Sequence, residues 1–342
     1  MVNVNNKILI FGGTGSLGQA LIRRLGNDNR LFLFSRDEAK HWTIKNKLKE
    51  NQNVSFIVGD IRDRDRVLSS IIQTRPNIII IASALKQIDT CEVAPFESVQ
   101  TNIIGIQNVV KSVVDNYEKL SELKSVLLVS TDKACAPTNV YGMCKSISER
   151  IITSAESYLR GPKFIGVRYG NVLESRGSII PLFKHQVEYQ SHITVTNPEM
   201  TRFIMTLDES IDLIEAALMD ASHGEIWLPK IVSMRILDLA EIFAAKYNKE
   251  IKIIGSRPGE KIHEDLINET ESVRVRFEND YYKMEPILKN SANFTTTAFT
   301  LSSSQNLLSK VQLHDYLEKI GIFSRSLDSF IGRSIEEIEI KS

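Results

Sequence analysis

Cysteine is scarce in this sequence, net charge is absent and no apolar run is long. The three cysteines, Cys91, Cys135 and Cys144, cannot all pair. Their spacing is not that of metal ligands, so neither a disulfide scaffold nor a metal site is expected. Cys135 and Cys144 read as small buried fillers. Forty-two basic residues balance 42 acidic ones, which argues against a dedicated nucleic-acid binder. No stretch approaches the ~20 apolar residues of a membrane span, and no secretory leader pattern opens the chain. The expectation is a cytoplasmic protein without membrane insertion. Internal repeats are missing too. What is present is ordinary: 42% apolar and 25% charged residues over 342 positions, enough for one large domain or two closely joined ones.

The first motif is a glycine loop between a strand and a helix. Lys7 to Phe11 is a short apolar run, followed by Gly12-Gly13-Thr14-Gly15-Ser16-Leu17-Gly18, and Gln19 to Leu25 continues as a helix. Glycines at 12, 15 and 18 permit a tight turn, close approach to a pyrophosphate and helix-on-strand packing. The helix start offers free N–H groups to phosphate. Strand before and helix after are the context that gives this motif its weight. A second strand, Leu31 to Phe34, ends in Ser35-Arg36-Asp37. A hydroxyl and a cation there suit the 2′-phosphate of NADP better than the free hydroxyls of NAD, with Lys40 as a weaker helper. Asp37 reads as a helix cap. Val54 to Val58 is a third strand that leads to Asp60 and Ile61, where Asp60 is placed to accept from an adenine amino group. Asn77 to Ile81 is a fourth, leading to Ala82-Ser83-Ala84, small residues that let the backbone approach a cofactor. The loop Leu85 to Ile88, with Lys86, faces cofactor or substrate. A long helix is expected from about Ala94 to Tyr117. This alternation predicts a doubly wound α/β fold of Rossmann type.

The second motif is S-T-D-K-A-C-A-P-T-N-V-Y-G-M-C-K, Ser130 to Lys145. The buried strand Ser125 to Val129 delivers Thr131, Asp132 and Lys133 to a sheet edge. Pro137 breaks the chain, and Thr138 or Asn139 caps a new helix. Tyr141 and Lys145, four positions apart, share one face of it. A free phenol has a pKa near ~10, and a nearby ammonium lowers it. Lys145 is expected to do this, so that Tyr141 takes a proton from an alcohol while hydride leaves the carbon, with Thr131 bonded to the same oxygen. Y-x-x-x-K alone is as well explained by an ordinary surface helix; the glycine loop makes that reading improbable.

After the strand Phe164 to Arg168 the rhythm changes. Loops around Arg176, 196–202 and 257–261 mix Arg, Asn and Glu with Gly and Pro, and together they suit a charged sugar nucleotide. The tail from about Asn290, including Thr296 and Thr297, is polar and carries an amphipathic helix candidate near Val311 to Ile320.

With these motifs the chain resembles an extended short-chain dehydrogenase/reductase. Within that superfamily it is similar to the inverting UDP-N-acetylglucosamine 4,6-dehydratases of the pseudaminic acid type, in the polysaccharide biosynthesis protein family. The resemblance runs from about Lys7 to Leu266. It rests on G-G-T-G-S-L-G, L-K-Q-I-D-T-C-E, S-T-D-K-A, Y-G-M-C-K, R-Y-G-N-V-L-E-S-R-G-S, N-P-E-M-T-R-F and R-P-G-E-K. The chain keeps Tyr141, where related dehydratases that also epimerise carbon 5, and the large membrane-bound ones, often carry Met.

The resemblance implies a Rossmann-type doubly wound parallel sheet with a smaller C-terminal substrate-binding lobe, the active site between them. The boundaries expected are 1–170 for the NADP domain, with later segments returning to it, 171–290 mainly for the lobe, and 291–342 for the tail. It implies NADP, tightly bound and recycled in each turnover, held by Gly12, Thr14, Gly15, Ser16, Leu17, Gly18, Ser35, Arg36, Lys40, Asp60, Ile61, Ala82, Ala84, Lys86, Tyr141 and Lys145. The substrate implied is UDP-N-acetylglucosamine, contacted by Lys86, Thr131, Asn171, Arg176, Thr194, Arg202, Arg257 and Glu260. Tyr141, Thr131 and Lys145 would oxidise carbon 4. Lys133, as a neutral amine, would take the carbon 5 proton, and Asp132, protonated, would donate to the departing 6-hydroxyl. The product would be UDP-2-acetamido-2,6-dideoxy-β-L-arabino-hexos-4-ulose, for bacterial surface glycan or nonulosonic acid synthesis. Family members form homo-oligomers, from dimers to hexamers. The competing readings are a UDP-sugar 4-epimerase, a retaining 4,6-dehydratase and a non-catalytic NADP-sensing scaffold. For Asp132 and Lys133 the competing reading is an ion pair at a strand end.

Overall fold

Short β-branched runs build the first half of the chain. A computed structural model describes residues 4–48, 53–155, 161–287 and 297–327. The strands are Lys7–Phe11 (β1), Arg30–Ser35 (β2), Val54–Val58 (β3), Ile78–Ile81 (β4), Ser125–Thr131 (β5) and Lys163–Tyr169 (β6). β1 and β4 are apolar almost throughout because both faces of a parallel sheet are covered by helices. The spatial order is β3-β2-β1-β4-β5-β6, all parallel. The order reverses between β1 and β4, so a crevice opens at their carboxyl ends, where the glycine loop lies. Helices Ser16–Leu25 (α1), Glu38–Lys47 (α2) and Arg64–Thr74 (α3) alternate with these strands. Asp37 and Asp63 cap α2 and α3, accepting from Lys40 N and Arg66 N at 3.0 Å each. Such caps contribute about 1 kcal/mol apiece.

The chain divides into two compact units. Unit one is Met1–Tyr169, Asp208–Lys230 and Asp265–Leu301; unit two is Gly170–Leu207, Ile231–Glu264 and Ser302–Ser342. They interleave in sequence. In unit one the returning segments extend the sheet. Ile226–Pro229 adds a parallel strand beside β6, and the hairpin Val275–Glu278 with Tyr281–Met284 closes that edge antiparallel. Asn279 and Asp280, at φ 53° and 65°, form its two-residue turn, as hairpin twist requires.

The long helix expected from Ala94 to Tyr117 is broken. It consists of Pro95–Val99, a π turn at Gln100–Ile104, Gly105–Val114 and a short 3-10 turn at Tyr117–Lys119. A helix Ile88–Val93, not expected, precedes it, so only the first part of the 85–88 stretch is loop.

Unit two has a three-stranded sheet, Val232–Arg235, Thr201–Met205 and Asn171–Val172, and a parallel pair, His192–Val195 with Glu250–Ile253. Its core gathers Leu173, Phe183, Ile193, Met234, Phe243 and Leu313. The helix expected near Val311 to Ile320 is Lys310–Lys319, started by a reciprocal Ser309–Gln312 cap. It buries Leu313 and Leu317 completely, so this part of the tail completes the core of unit two. Asn290, Thr296 and the tail segments 291–296 and 328–342 lie outside the described residues. No helix among the described residues is long and apolar enough to cross a membrane.

Candidate active site

The glycine loop is shaped by close backbone approach. Gly12 has φ +86°, and a Cβ on it would lie 2.7 Å from Ser83 N, in the segment Ala82 to Ala84 that follows β4. A Cβ on Gly18 would lie 2.1 Å from Gly13 O. Only hydrogen fits at either place. Gly15 opens α1 without a capping side chain, leaving first-turn N–H groups of a helix for a ligand. Thr14 Oγ1 and Ser35 Oγ are 2.8 Å apart and tie this loop to the end of β2. This cradle, which any side chain would fill, fits a dinucleotide pyrophosphate.

At the β2 and β3 ends, Arg36 is exposed and lies 3.6 Å from Asp60. Arg62 holds the same carboxylate, from Nε at 2.9 Å and Nη2 at 2.7 Å. Burial opposes ionisation of Asp60, but the Arg62 hydrogen bonds outweigh it and hold the carboxyl below its usual range. Asp60 is therefore already engaged by an arginine. Lys40 pairs with Asp37, the helix cap. Ile61 is buried.

The central stretch folds as expected at its start. β5 runs through Thr131, and Asp132–Ala134 forms one 3-10 turn. Asn139 is the cap, its side chain accepting from Gly142 N at 2.8 Å, and the helix Val140–Ser154 follows. Thr131 Oγ1 donates to Asp132 Oδ1 at 2.9 Å, and Lys133 Nζ donates to the same oxygen at 3.0 Å. Asp132 is fully buried, and its other oxygen, Oδ2, has no hydrogen-bond partner among the described residues. The ion-pair geometry is thus present at the strand end. It is compatible with an acid and a base, because moving one proton across 3.0 Å turns carboxylate and ammonium into acid and amine.

Tyr141 and Lys145 are both buried. The phenol departs from expectation. Burial, then the Asp132 carboxylate, push its pKa up, and a Thr131 hydrogen bond only partly offsets them. Lys145 is bonded away from it. Its amine donates to Val129 O at 2.6 Å, and burial lowers its pKa to about 8 against the pull of Glu149. Desolvation outweighs a favourable neighbour in this interior.

The remaining sequence-predicted residues lie on unit two or on loops. Lys86 is exposed. Asn171 starts its short strand with Oδ1 buried and unpartnered among the described residues. Arg176 is half-buried in the loop before the helix Ile179–Tyr189. Thr194 is held by Gln186, whose amide donates to its hydroxyl at 2.6 Å. Arg202 is buried, and its Nη1 and Nη2 donate to the carbonyls of Thr201, Ile262 and Lys261 at 2.7, 3.1 and 3.0 Å. Its cation anchors the end of the 257–261 loop. In that loop Glu260 accepts from Arg257 N at 3.0 Å, closing a turn that leaves the Arg257 side chain exposed.

Residues 8–286 match one family along most of the chain. The protein belongs to the polysaccharide biosynthesis protein family. An inverting UDP-N-acetylglucosamine 4,6-dehydratase of Campylobacter jejuni subsp. jejuni serotype O:23/36 is 36% identical over 296 residues, covering 84% of this chain and 85% of that protein. A UDP-glucose 4-epimerase of Rickettsia rickettsii is 35% identical over 291 residues, covering 82% and 83%. The X-ray structure of Pen from Bacillus thuringiensis matches with a TM-score of 0.87 at 32% identity, covering 94% and 99%. The dehydratase match bears out the resemblance read from the motifs.

Three residues around the site of this family member escaped the sequence reading of function. Asn102, in the π turn, donates to Leu85 O at 2.9 Å and accepts from Leu85 N at 2.9 Å, fixing the loop after β4. Tyr169 lies opposite Thr131 in the β5–β6 register, and its buried phenol is pushed up by burial and by Tyr141. Gly142 is pressed against Lys133: a Cβ there would meet Lys133 O at 2.2 Å. Gly142 and Tyr169 lie inside Y-G-M-C-K and R-Y-G-N-V-L-E-S-R-G-S without a role having been read for them, and Asn102 gave the signal of a polar residue within an apolar helix.

Proposed function

We propose that this protein is an NADP-dependent UDP-N-acetylglucosamine 4,6-dehydratase that inverts carbon 5. The carrying observation is the pair of buried Asp132 and half-buried Lys133, joined at 3.0 Å, beside Thr131 and the Tyr141 phenol. Elimination of water needs an acid and a base beyond the tyrosine, whereas simple epimerisation at carbon 4 does not. NADP would be held by Gly12, Gly15 and Gly18 at its pyrophosphate and by Ser35 and Arg36 at its 2′-phosphate. When bound, the cofactor would supply hydride transfer from carbon 4 and back to carbon 6, and a positive charge that favours the Tyr141 phenolate.

Tyr141 takes the 4-hydroxyl proton, with Thr131 bonded to the same oxygen and Lys145 behind it. Burial raises the Tyr141 pKa, so the phenol must be deprotonated against that shift before it can take the substrate proton. The carbon 4 ketone acidifies the carbon 5 proton. Lys133, as the amine, takes that proton, and Asp132, as the acid, protonates the departing 6-hydroxyl. A proton then returns to carbon 5 from the opposite face. Arg176, Arg257 and Glu260 are assigned to the uridine diphosphate end on the strength of their loop motifs, and Asn171 to the sugar or its phosphates. Arg202 is assigned to support of the 257–261 loop.

Proton NMR of the protein with UDP-N-acetylglucosamine in heavy water tests this reading. The expected result is a new 6-deoxy methyl signal, a 4-keto product or its hydrate, and deuterium at carbon 5. Conversion to the galacto sugar without a methyl signal would make it a 4-epimerase, the activity named for the Rickettsia relative. Retained ring couplings at carbon 5 would make it a retaining dehydratase. For the cofactor, Arg36→Ala is expected to weaken NADP about tenfold or more while leaving NAD nearly unchanged, since one charge-assisted contact to a phosphate is removed. Titration of both cofactors into the stripped protein measures this; unchanged selectivity would remove Arg36 from the assignment.

A further inference from the structure

Tyr141, Lys145 and Glu149 follow one another at four-residue intervals on one face of the helix Val140–Ser154. The last two grip consecutive residues of β5. Lys145 Nζ donates to Val129 O at 2.6 Å, and Ser130 Oγ donates to Glu149 Oε1 at 2.6 Å. Ser130 immediately precedes Thr131. Its register partner on β6 is Arg168, which is buried and binds both oxygens of Glu149, at 2.9 and 2.5 Å. The same guanidinium binds both oxygens of Glu271 at 2.8 Å and Leu266 O at 2.8 Å. Glu271 in turn accepts from Cys135 Sγ at 3.2 Å, and Cys135 immediately follows the Asp132–Ala134 turn. The segment Thr131–Asp132–Lys133–Ala134 is therefore tied at both ends, through Ser130 and Cys135, to two carboxylates on one arginine.

Breaking such a buried network is costly, yet keeping it adds little stability over apolar packing of the same volume. What it supplies is a defined position and a defined charge. We infer that Glu149, fixed by Arg168 and Ser130, is a positioning residue that keeps Lys145 protonated and in place beneath the Thr131–Lys133 segment. The inference rests on the proposed role of Tyr141 and Lys145 in oxidising the substrate.

The charged and titratable groups around Glu149 are few. Lys145 and Arg150 share its helix, Arg168 reaches it from β6, and Glu271 and Arg274 lie beyond the guanidinium, with Cys135 against Glu271. Cys144 is adjacent to Lys145, and burial pushes its thiol up, so it stays neutral. Burial drives the Lys145 ammonium towards neutrality, and the anion of Glu149 is the main influence opposing it. Glu149→Gln keeps the shape and removes that charge.

The test is the pH dependence of kcat for the full chain loaded with NADP, with UDP-N-acetylglucosamine, wild type and Glu149→Gln in parallel. The variant is expected to keep cofactor and a KM within about threefold of wild type, and its alkaline limb is expected to move down by about one pH unit or more. Its kcat should approach wild type at the acidic end. A kcat reduced equally at every pH, with the limb unmoved, would overturn the inference, as would a wild-type profile. If the variant does not fold, Ser130→Ala removes only the strand-side bond. It is expected to lower kcat about tenfold at unchanged KM and cofactor content, and no change there would overturn the inference. A wild-type protein without turnover overturns both the inference and the functional reading. A wild type with turnover and an unmoved limb in the variant overturns the role of Glu149 alone.

Discussion

Lys133→Ala is expected to abolish dehydration of UDP-N-acetylglucosamine, by about 10²- to 10⁴-fold, the usual contribution of a positioned acid–base group. Cofactor should stay bound, because the glycine cradle and Arg36 are untouched. In the proposed mechanism oxidation at carbon 4 depends on Tyr141, Thr131 and Lys145, so the variant should stall after that step. The near-ultraviolet absorbance of reduced cofactor is then expected to rise on adding substrate, with no methyl signal and no deuterium at carbon 5. The substitution also strips the fully buried Asp132 carboxylate of its 3.0 Å cationic partner. Full turnover by Lys133→Ala would remove Lys133 from the mechanism. Loss of cofactor would recast the residue as a structural one.

Gly142→Ala is expected to have the second largest effect, although it adds one methyl group and removes no functional atom. That methyl would sit 2.2 Å from Lys133 O and 3.1 Å from Pro137 Cβ. Backbone cannot yield as a flexible side chain does, so the helix bearing Tyr141 must move away from the turn bearing Lys133. Overpacking of this kind costs about 1–3 kcal/mol. Displacement of reacting groups by about 1 Å costs on the order of 10²-fold in rate. The expected outcome is a folded, cofactor-bound protein with a lowered denaturation midpoint and kcat reduced about 10²-fold. Denaturant unfolding and turnover measured side by side check it. Wild-type kcat in a destabilised variant would show that the helix-to-turn spacing is not part of the chemistry.

Two of the departures from expectation concern charge. The sequence placed an ammonium one helical turn from a phenol, and spacing alone implies attraction between them. Spacing does not report dielectric. Both side chains are buried, so desolvation raises the phenol and lowers the amine, and Lys145 spends its hydrogen bond on Val129 O. Arg202 shows the same limit. Its place in N-P-E-M-T-R-F suggested a phosphate ligand, but its Nη1 and Nη2 are turned onto backbone carbonyls of Lys261 and Ile262. An arginine near Pro and Glu in sequence can serve ligand or loop, and only packing distinguishes them.

The sequence by itself determined the parallel strands β1 to β6, the glycine loop, the cap at Asp37, and the Tyr141–Lys145 face, while it left the second cap open between Thr138 and Asn139. Each of these depends on residues within a few positions of one another: apolar period, conformational freedom at glycine, side-chain bonds to the next helical turn. Tertiary structure decided the rest. It returned 208–230 and 265–301 to unit one, added the hairpin Val275–Met284 at the sheet edge, and buried Leu313 and Leu317 in unit two. It also assembled Ser130, Glu149, Arg168 and Glu271 into one network. Those residues lie up to 141 positions apart and carry no shared motif, because charges that meet in a folded interior leave no local pattern for a sequence to display.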